Sequence, residues 1–358
     1  MNPSLVSARA RALTPYTPGE QPQDKKYIKL NTNENPYPPA PGVQKLLRDY
    51  DAGMLRLYPD PSSTRLREEI AAHYQLRSEE VFTGNGSDEV LSFIFYAFFD
   101  PENGPVLFPA HTYSFYPVYC TYYGLEYNRV PMEKDFSIQV KDFNDYKSFA
   151  GVIFPNPNAP TGIALSRNQI AEFLHSARTD RVYVIDEAYV DFGAETCSSL
   201  IRDFPNLIVV HTFSKSRSLA GVRLGFALGN PELIQTLFTV KDSFNSYPLN
   251  RLSQELAMRA LEDNEYFLDV RDRVISTRSY TVDTLQERGW RVLPSKANFI
   301  FTSAPGIDGL TIYNDLKQRG ILVRYFNHDG ITDFIRITIG TEEQMDTLIS
   351  TLDALYSK

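Results

Sequence analysis

His211-Thr212-Phe213-Ser214-Lys215-Ser216-Arg217-Ser218-Leu219-Ala220-Gly221-Val222-Arg223-Leu224-Gly225-Phe226 is the stretch on which the reading of this chain turns. It follows Leu207-Ile208-Val209-Val210, an apolar, β-branched run that reads as a buried strand. One lysine stands just past that strand among small and hydroxyl residues, with Arg223 beyond it. A lysine in such a place is partly desolvated, which lowers its pKa and frees the amine as a nucleophile. Taken alone, a strand-to-loop turn whose lysine pairs with a carboxylate is the plainer reading. The ends of the other strands decide against it.

Outward from this stretch, the chain from about Glu80 alternates strand and helix. Val81-Phe82-Thr83 ends in Gly84-Asn85-Gly86-Ser87-Asp88-Glu89, and Val106-Leu107-Phe108 ends near His111-Thr112-Tyr113. Val152-Ile153-Phe154 runs into Pro155-Asn156-Pro157-Asn158-Ala159-Pro160-Thr161-Gly162, and Val182-Tyr183-Val184-Ile185 into Asp186-Glu187-Ala188-Tyr189. Phe226-Ala227-Leu228-Gly229 follows the lysine stretch. Strands written as short apolar runs, without alternation, are buried on both faces, as in a parallel sheet between helices. Ligands of such sheets bind beyond the carboxyl ends of the strands. Here those ends carry a glycine-serine turn, a tyrosine, an asparagine-proline turn, an aspartate and a lysine.

The expected organisation is α/β. A Pro- and Asn-rich N-terminal arm covers 1–42, a large domain with a mainly parallel sheet covers 43–245, and a smaller α+β domain covers 246–358. In the last of these, helical stretches at Arg251–Glu262 and Glu265–Arg288 precede strands at Arg291–Leu293, Asn298–Thr302, Ile321–Arg324 and Phe334–Ile339. Arg324 and Arg336 fall on or near those strands.

Bulk composition narrows the function. Of 358 residues, 42% are apolar and 22% charged, the texture of a globular enzyme. A net charge of −8 argues against a nucleic-acid or anionic-membrane surface, so an anionic ligand must be held by a few local arginines. No apolar run approaches membrane-spanning length, and the first residues lack the apolar core of a signal peptide. Cys120 and Cys197 are the only cysteines; they and the five scattered histidines lack ligand spacing, so no metal is expected and a reducing cytoplasm fits.

Each motif has a plain reading beside a chemical one. The Gly84–Glu89 turn is a helix start, capped by Ser87 or offering backbone N–H groups to one phosphate. Arg223 is either a surface arginine or a second phosphate ligand whose fork matches the oxygens. Asp186 is either a capping residue or a buried carboxylate in need of a partner. A buried aspartate, a buried lysine and a phosphate cup together fit pyridoxal 5′-phosphate: Schiff base, partner of the ring nitrogen, and phosphate site.

The chain resembles the fold-type I, class I and II pyridoxal-phosphate aminotransferases. The likeness runs from Leu30-Asn31-Thr32-Asn33-Glu34-Asn35-Pro36 through Gly86–Glu89, Asn156–Gly162, Asp186–Tyr189 and Ser214-Lys215 with Arg223 to Arg336-Ile337-Thr338-Ile339-Gly340-Thr341. It implies Lys215 as the Schiff-base amine, Asp186 as the partner of the ring nitrogen, Tyr189 and Asn158 on the ring hydroxyl, and Tyr113 stacked on the ring. Gly86, Ser87, Asp88, Thr212, Ser214 and Arg223 are implied around the phosphate. Tyr16, Asn33, Arg324 and Arg336 are implied for substrate. A homodimer is implied as well, with Tyr58 reaching the neighbouring subunit's cofactor phosphate. One departure stands out: Ala159 occupies the place directly before Pro-Thr-Gly where relatives carry asparagine, which makes Asn158 the substitute. The implied reaction moves an amino group from L-histidinol phosphate to 2-oxoglutarate. Transamination of aromatic amino acids and decarboxylation of threonine phosphate are the alternatives.

Overall fold

Thirteen strands form in the computed structural model, which describes residues 5–356; residues 1–4 of the arm and 357–358 of the C-terminal unit lie outside the described residues. In chain order they are β1 (Ile28–Lys29), β2 (Val81–Gly84), β3 (Val106–Pro109), β4 (Tyr127–Val130), β5 (Gly151–Pro155), β6 (Val182–Asp186), β7 (Leu207–Thr212) and β8 (Gly225–Gly229). The set continues with β9 (Arg291–Val292), β10 (Phe299–Ser303), β11 (Ile321–Leu322), β12 (Arg324–Tyr325) and β13 (Ile335–Thr338).

The apolar runs form the large sheet, in the order β2-β8-β7-β6-β5-β3-β4. Strands β7, β6, β5, β3 and β4 are parallel, while β8 runs antiparallel to both β7 and β2. Every residue of β2, β3, β5, β7 and β8 is buried. Alternate side chains supply two cores. Val152, Phe154, Ile185 and Val209 face one way, and Ile153, Val184, Ile208 and Val210 the other. Helices Ser87–Phe98, Tyr116–Tyr123 and Pro231–Phe244 cover the second face. The edge strand β4 is the one whose sequence conceals it: Tyr127, Asn128 and Arg129 are exposed, and Val130 alone is buried.

A second, antiparallel sheet has the order β12-β13-β10-β9. It packs with helices Asn264–Glu287, Gly309–Gln318 and Glu342–Tyr356 through Val274, Ile300, Ile312, Ile337 and Leu348. The arm is tied to this unit, because β1 pairs in parallel with β11 and Thr338 N–H donates to Leu30 O at 2.9 Å. Helix Arg251–Glu262 belongs elsewhere. It starts at an Asn250 cap and buries Leu256, Ala257 and Ala260 in the first core of the large sheet. Packing therefore assigns this helix to the large unit, although its sequence directly precedes the long helix of the small one.

Candidate active site

Strands β6 and β7 lie side by side in parallel, with Asp186 opposite Val210, so their carboxyl ends deliver Asp186 and Lys215 to one place. A cavity of about 410 Å³ opens there, lined by Asp186, Tyr189, Lys215, Ser87, Tyr113, Arg223 and Arg336 among others. A second cavity of about 730 Å³ adjoins it, and Tyr16, Tyr113 and Arg324 line both.

Asp186 is buried. Its Oδ2 accepts from the Tyr116 hydroxyl at 2.9 Å and its Oδ1 from Ala188 N–H at 3.2 Å. Burial pushes its carboxyl up to about 6, against the opposing pull of those two hydrogen bonds. A buried carboxylate without a cation at hydrogen-bond distance among the described residues is suited to a protonated nitrogen entering from the cavity. Glu187, next in sequence, points to the opposite face. His211 Nε2 lies 3.3 Å from it, and burial raises the carboxyl and lowers the imidazole.

The Lys215 amine donates to Thr32 O at 3.3 Å and lies 5.7 Å from the centroid of the Tyr189 ring. Asn33, from the arm, donates from its side-chain amide to the Tyr189 hydroxyl at 2.9 Å. Asn33 adopts φ 55°, and its backbone N–H and side-chain oxygen are both held by Thr338 Oγ1 of β13. The arm thus reaches the lysine by way of the small sheet.

The helix Ser87–Phe98 opens on Gly86 at φ 84°, and no side chain caps it among the described residues. Ser87 is therefore not a cap, and the first N–H groups of the helix are available to an anion. A Cβ at Gly86 would come within 2.7 Å of Arg223 Nη2, so glycine is what lets the guanidinium approach this turn. Arg223 bonds Asp88 Oδ2 at 3.1 Å and Tyr113 donates to Asp88 Oδ1 at 3.0 Å. The Asp88 carboxylate thus orients two neighbours, leaving its N–H as the group it can offer an anion. Ser214 lines the same cavity, and Thr212 beside it accepts from Ser214 N–H at 3.1 Å. Backbone donors at a helix start, two hydroxyls, a guanidinium, a buried carboxylate and an amine thus line one cavity. This donor set fits pyridoxal phosphate.

Other expected residues lie differently. Asn158 is fully buried beneath its turn and does not line the cavity. Its amide donates to His111 O at 2.9 Å and Thr161 Oγ1 at 3.1 Å, while Ala159 and Pro160 form the wall. Arg336 donates to Asn31 O at 3.2 Å, with its Nε buried and unpaired. Arg324 donates to the carbonyls of Thr17 and Pro18 at 3.0 and 3.2 Å. Tyr16 packs on Phe115 with ring centroids 5.0 Å apart. Tyr58 is 79% exposed, packs against Tyr247 with ring centroids 4.8 Å apart, and does not reach the cavity of its own chain.

Comparison with known proteins decides the family. The model of the aminotransferases of class I and II matches residues 25–352. The chain belongs to the class I and II aminotransferases. It is 55% identical to a histidinol-phosphate aminotransferase of Syntrophus aciditrophicus, over 99% of this chain and 98% of that one. It is 51% identical to a protein of the same name from Chromohalobacter salexigens, over 98% of both. In fold it matches the crystal structure of histidinol-phosphate aminotransferase from Sinorhizobium meliloti in complex with pyridoxal-5′-phosphate, with TM-score 0.84 and 24% identity, covering 93% of this chain and 92% of that one.

Two residues at the site of this aminotransferase escape a reading of sequence. Asn35 donates to the carbonyls of Lys215 and Ser216 at 3.1 and 3.3 Å and so fixes the backbone that carries the lysine. The signal for it was the asparagine-rich arm itself. Tyr116, in Phe115-Tyr116-Pro117-Val118-Tyr119, carries no signal that separates it from ordinary aromatic core.

Proposed function

We propose that this chain is the aminotransferase that moves an amino group from L-histidinol phosphate to 2-oxoglutarate, in the cytoplasm and as a homodimer. Its cofactor is pyridoxal 5′-phosphate. The observation that carries the reading is the convergence of Lys215, Asp186 and three arginines, Arg223, Arg324 and Arg336, on one cavity, in a chain 55% identical to a protein of that name.

When bound, the cofactor supplies a sink for the electron pair left as the substrate's α C–H bond breaks. Lys215 Nζ would take that α-proton as general base and, once protonated, serve as the general acid that gives it back. Thr32 O and the backbone grip of Asn35 hold the amine at the cavity between these tasks. Asp186 would present its carboxylate to the ring nitrogen, where the low dielectric of its buried position strengthens a charge pairing. Tyr189 and Tyr113 line the cavity, where they would hold the ring hydroxyl and cover the ring. The N–H groups at Ser87 and Asp88, with Thr212, Ser214 and Arg223, take the phosphate.

Arg324 and Arg336 read the substrates. A phosphate monoester and a dicarboxylate present different oxyanions, and a guanidinium fork binds either bidentately. Arg324 must then exchange its arm carbonyls for substrate oxygens. The free, buried thiols of Cys120 and Cys197 suit a reducing compartment, and among the described residues no helix is long and apolar enough to cross a membrane. Leu55, Tyr58 and Phe244 are 65%, 79% and 75% exposed, large apolar side chains that a second copy of the chain would cover.

The test is a substrate panel. Purified protein with added cofactor and 2-oxoglutarate is assayed with L-histidinol phosphate, phenylalanine, tyrosine and threonine phosphate. The highest kcat/KM is expected for histidinol phosphate. A preference for the aromatic amino acids, or release of carbon dioxide from threonine phosphate, overturns the assignment.

A further inference from the structure

We propose that Tyr116 is a positioning residue for the reaction: its hydroxyl keeps the Asp186 carboxylate ionised and aimed, so that a proton shared with the cofactor's ring nitrogen stays on the ring. The inference rests on Asp186 being the partner of that nitrogen.

Tyr116 is the first residue of helix Tyr116–Tyr123 and has no exposed surface. Its ring is seated among Phe95, Phe108 and Tyr113, with centroids 6.1, 5.9 and 5.5 Å away, the last edge-on at 88°. Packed in this way, its hydroxyl has one address, Asp186 Oδ2 at 2.9 Å. Burial, with the Asp186 charge second, holds the phenol far above its ordinary pKa, so it acts as donor and not as acid.

The chemistry follows from competition for one proton. A carboxylate that accepts a hydrogen bond is a weaker base than one that does not. Without the tyrosine donor, Asp186 draws the shared proton toward its own oxygen and leaves the ring nitrogen neutral. A neutral ring is the poorer electron sink. The other groups facing Asp186 are Asp88 at the start of helix Ser87–Phe98, which opposes its ionisation, Lys215 beyond β7, which favours it, and Ala188 N–H on the other oxygen. Tyr113 and Tyr119 face Tyr116 itself, and both make their own bonds to Asp88. Oδ2 therefore depends on Tyr116.

Tyr116→Phe keeps the packed ring and removes the hydroxyl. The visible absorbance of the cofactor bound to Lys215 is titrated at saturating pyridoxal phosphate in the wild type, Tyr116→Phe, Asp186→Asn and, as a control on the same helix, Tyr119→Phe. A ring that loses positive charge makes the lysine-derived nitrogen more basic, so the midpoint in Tyr116→Phe is expected to rise by about one pH unit. The dissociation constant of the cofactor should rise about tenfold, and kcat should fall while KM changes little. An unmoved midpoint in Tyr116→Phe, beside a raised one in Asp186→Asn, overturns the inference and leaves the Asp186 reading standing. An unmoved midpoint in Asp186→Asn overturns both. An equal rise in Tyr119→Phe overturns it too, because helix placement and not the hydroxyl would be responsible. A second readout needs no cofactor: Tyr116→Phe should lose more stability at pH 8, where Asp186 is ionised, than at pH 5. Equal losses at the two pH values count against the proposal.

Discussion

The two halves of the cavity are built on different terms. The half at the carboxyl ends of β6 and β7 is assembled from neighbours in one sheet, and its polar groups are held in place by partners of their own. Asp186 has two donors, Arg223 has Asp88 at 3.1 Å, and the Lys215 backbone is gripped by Asn35. The half formed by the arm and the small sheet is assembled across the length of the chain. Arg324 and Arg336 rest on backbone carbonyls of Thr17, Pro18 and Asn31, and Arg336 Nε has no partner. A neutral carbonyl is a weaker partner for a guanidinium than an oxyanion is. The first half is thus preorganised for a resident group, and the second holds its arginines on bonds that a passing substrate can replace.

Five substitutions break or sharpen that contrast, beginning with the largest effect. Lys215→Ala should lower transamination by at least about 10⁴-fold, because base, acid and attachment point are lost together. It should still retain pyridoxal phosphate, since the phosphate contacts do not involve the amine. Turnover near the wild-type rate without added amine would dissolve the distinction between the halves.

Asp186→Asn should slow kcat by about 10²- to 10³-fold, the scale of a lost preorganised charge contact. It should also change the pH dependence of the cofactor-free protein. Burial raises the folded carboxyl from 3.8 to about 6, so the native state holds its proton more tightly than the unfolded chain does. The ionised carboxylate then costs about 3 kcal/mol above pH 6, and that loss is recovered as pH falls through 6 toward 4. Thermal unfolding should find cofactor-free Asp186→Asn more stable than wild type at pH 8, with the advantage gone at pH 4. A constant difference across that range contradicts the buried-charge account.

Replacements in the substrate half should be milder and selective. Arg336→Lys keeps the charge and loses the fork, and should weaken both half-reactions by about 10- to 100-fold in kcat/KM. Arg324→Ala should reduce kcat/KM for histidinol phosphate about tenfold more than for histidinol. Equal losses on the two amines would show that Arg324 does not read the phosphate. The smallest effect is expected from Tyr58→Phe, a few-fold loss for one hydroxyl contact. Mixed with inactive Lys215→Ala subunits, it should regain activity, because each hybrid holds one site with both a lysine and a neighbour's Tyr58. Failure to recover argues that each subunit is self-sufficient.

Much of the cofactor half was legible because its signals are local. A run such as Val182–Ile185 that is apolar at every position implies burial on both faces, and a charged residue directly after it must stand at a strand end with a reason to be there. The same logic fails where exposure hides a strand, as at β4, or where adjacency in sequence suggests the wrong core, as with helix Arg251–Glu262. It also fails at Tyr116, whose surroundings read as aromatic core and whose ring is core, while its hydroxyl is not. Asn158 shows the converse: a polar residue in a motif position that the fold turns away from the cavity.

The sequence by itself determined the α/β order and the polar residues that stand at the strand ends, because periodicity and burial are properties of short windows. Tertiary structure alone decided which groups became partners. Tyr116 and Asp186 are 70 residues apart, Asn33 and Thr338 are 305, and Arg324 and Pro18 are 306. A hydrogen bond needs its two atoms within about 3 Å, and no local pattern encodes that distance until sheet, helix and arm have closed around one another.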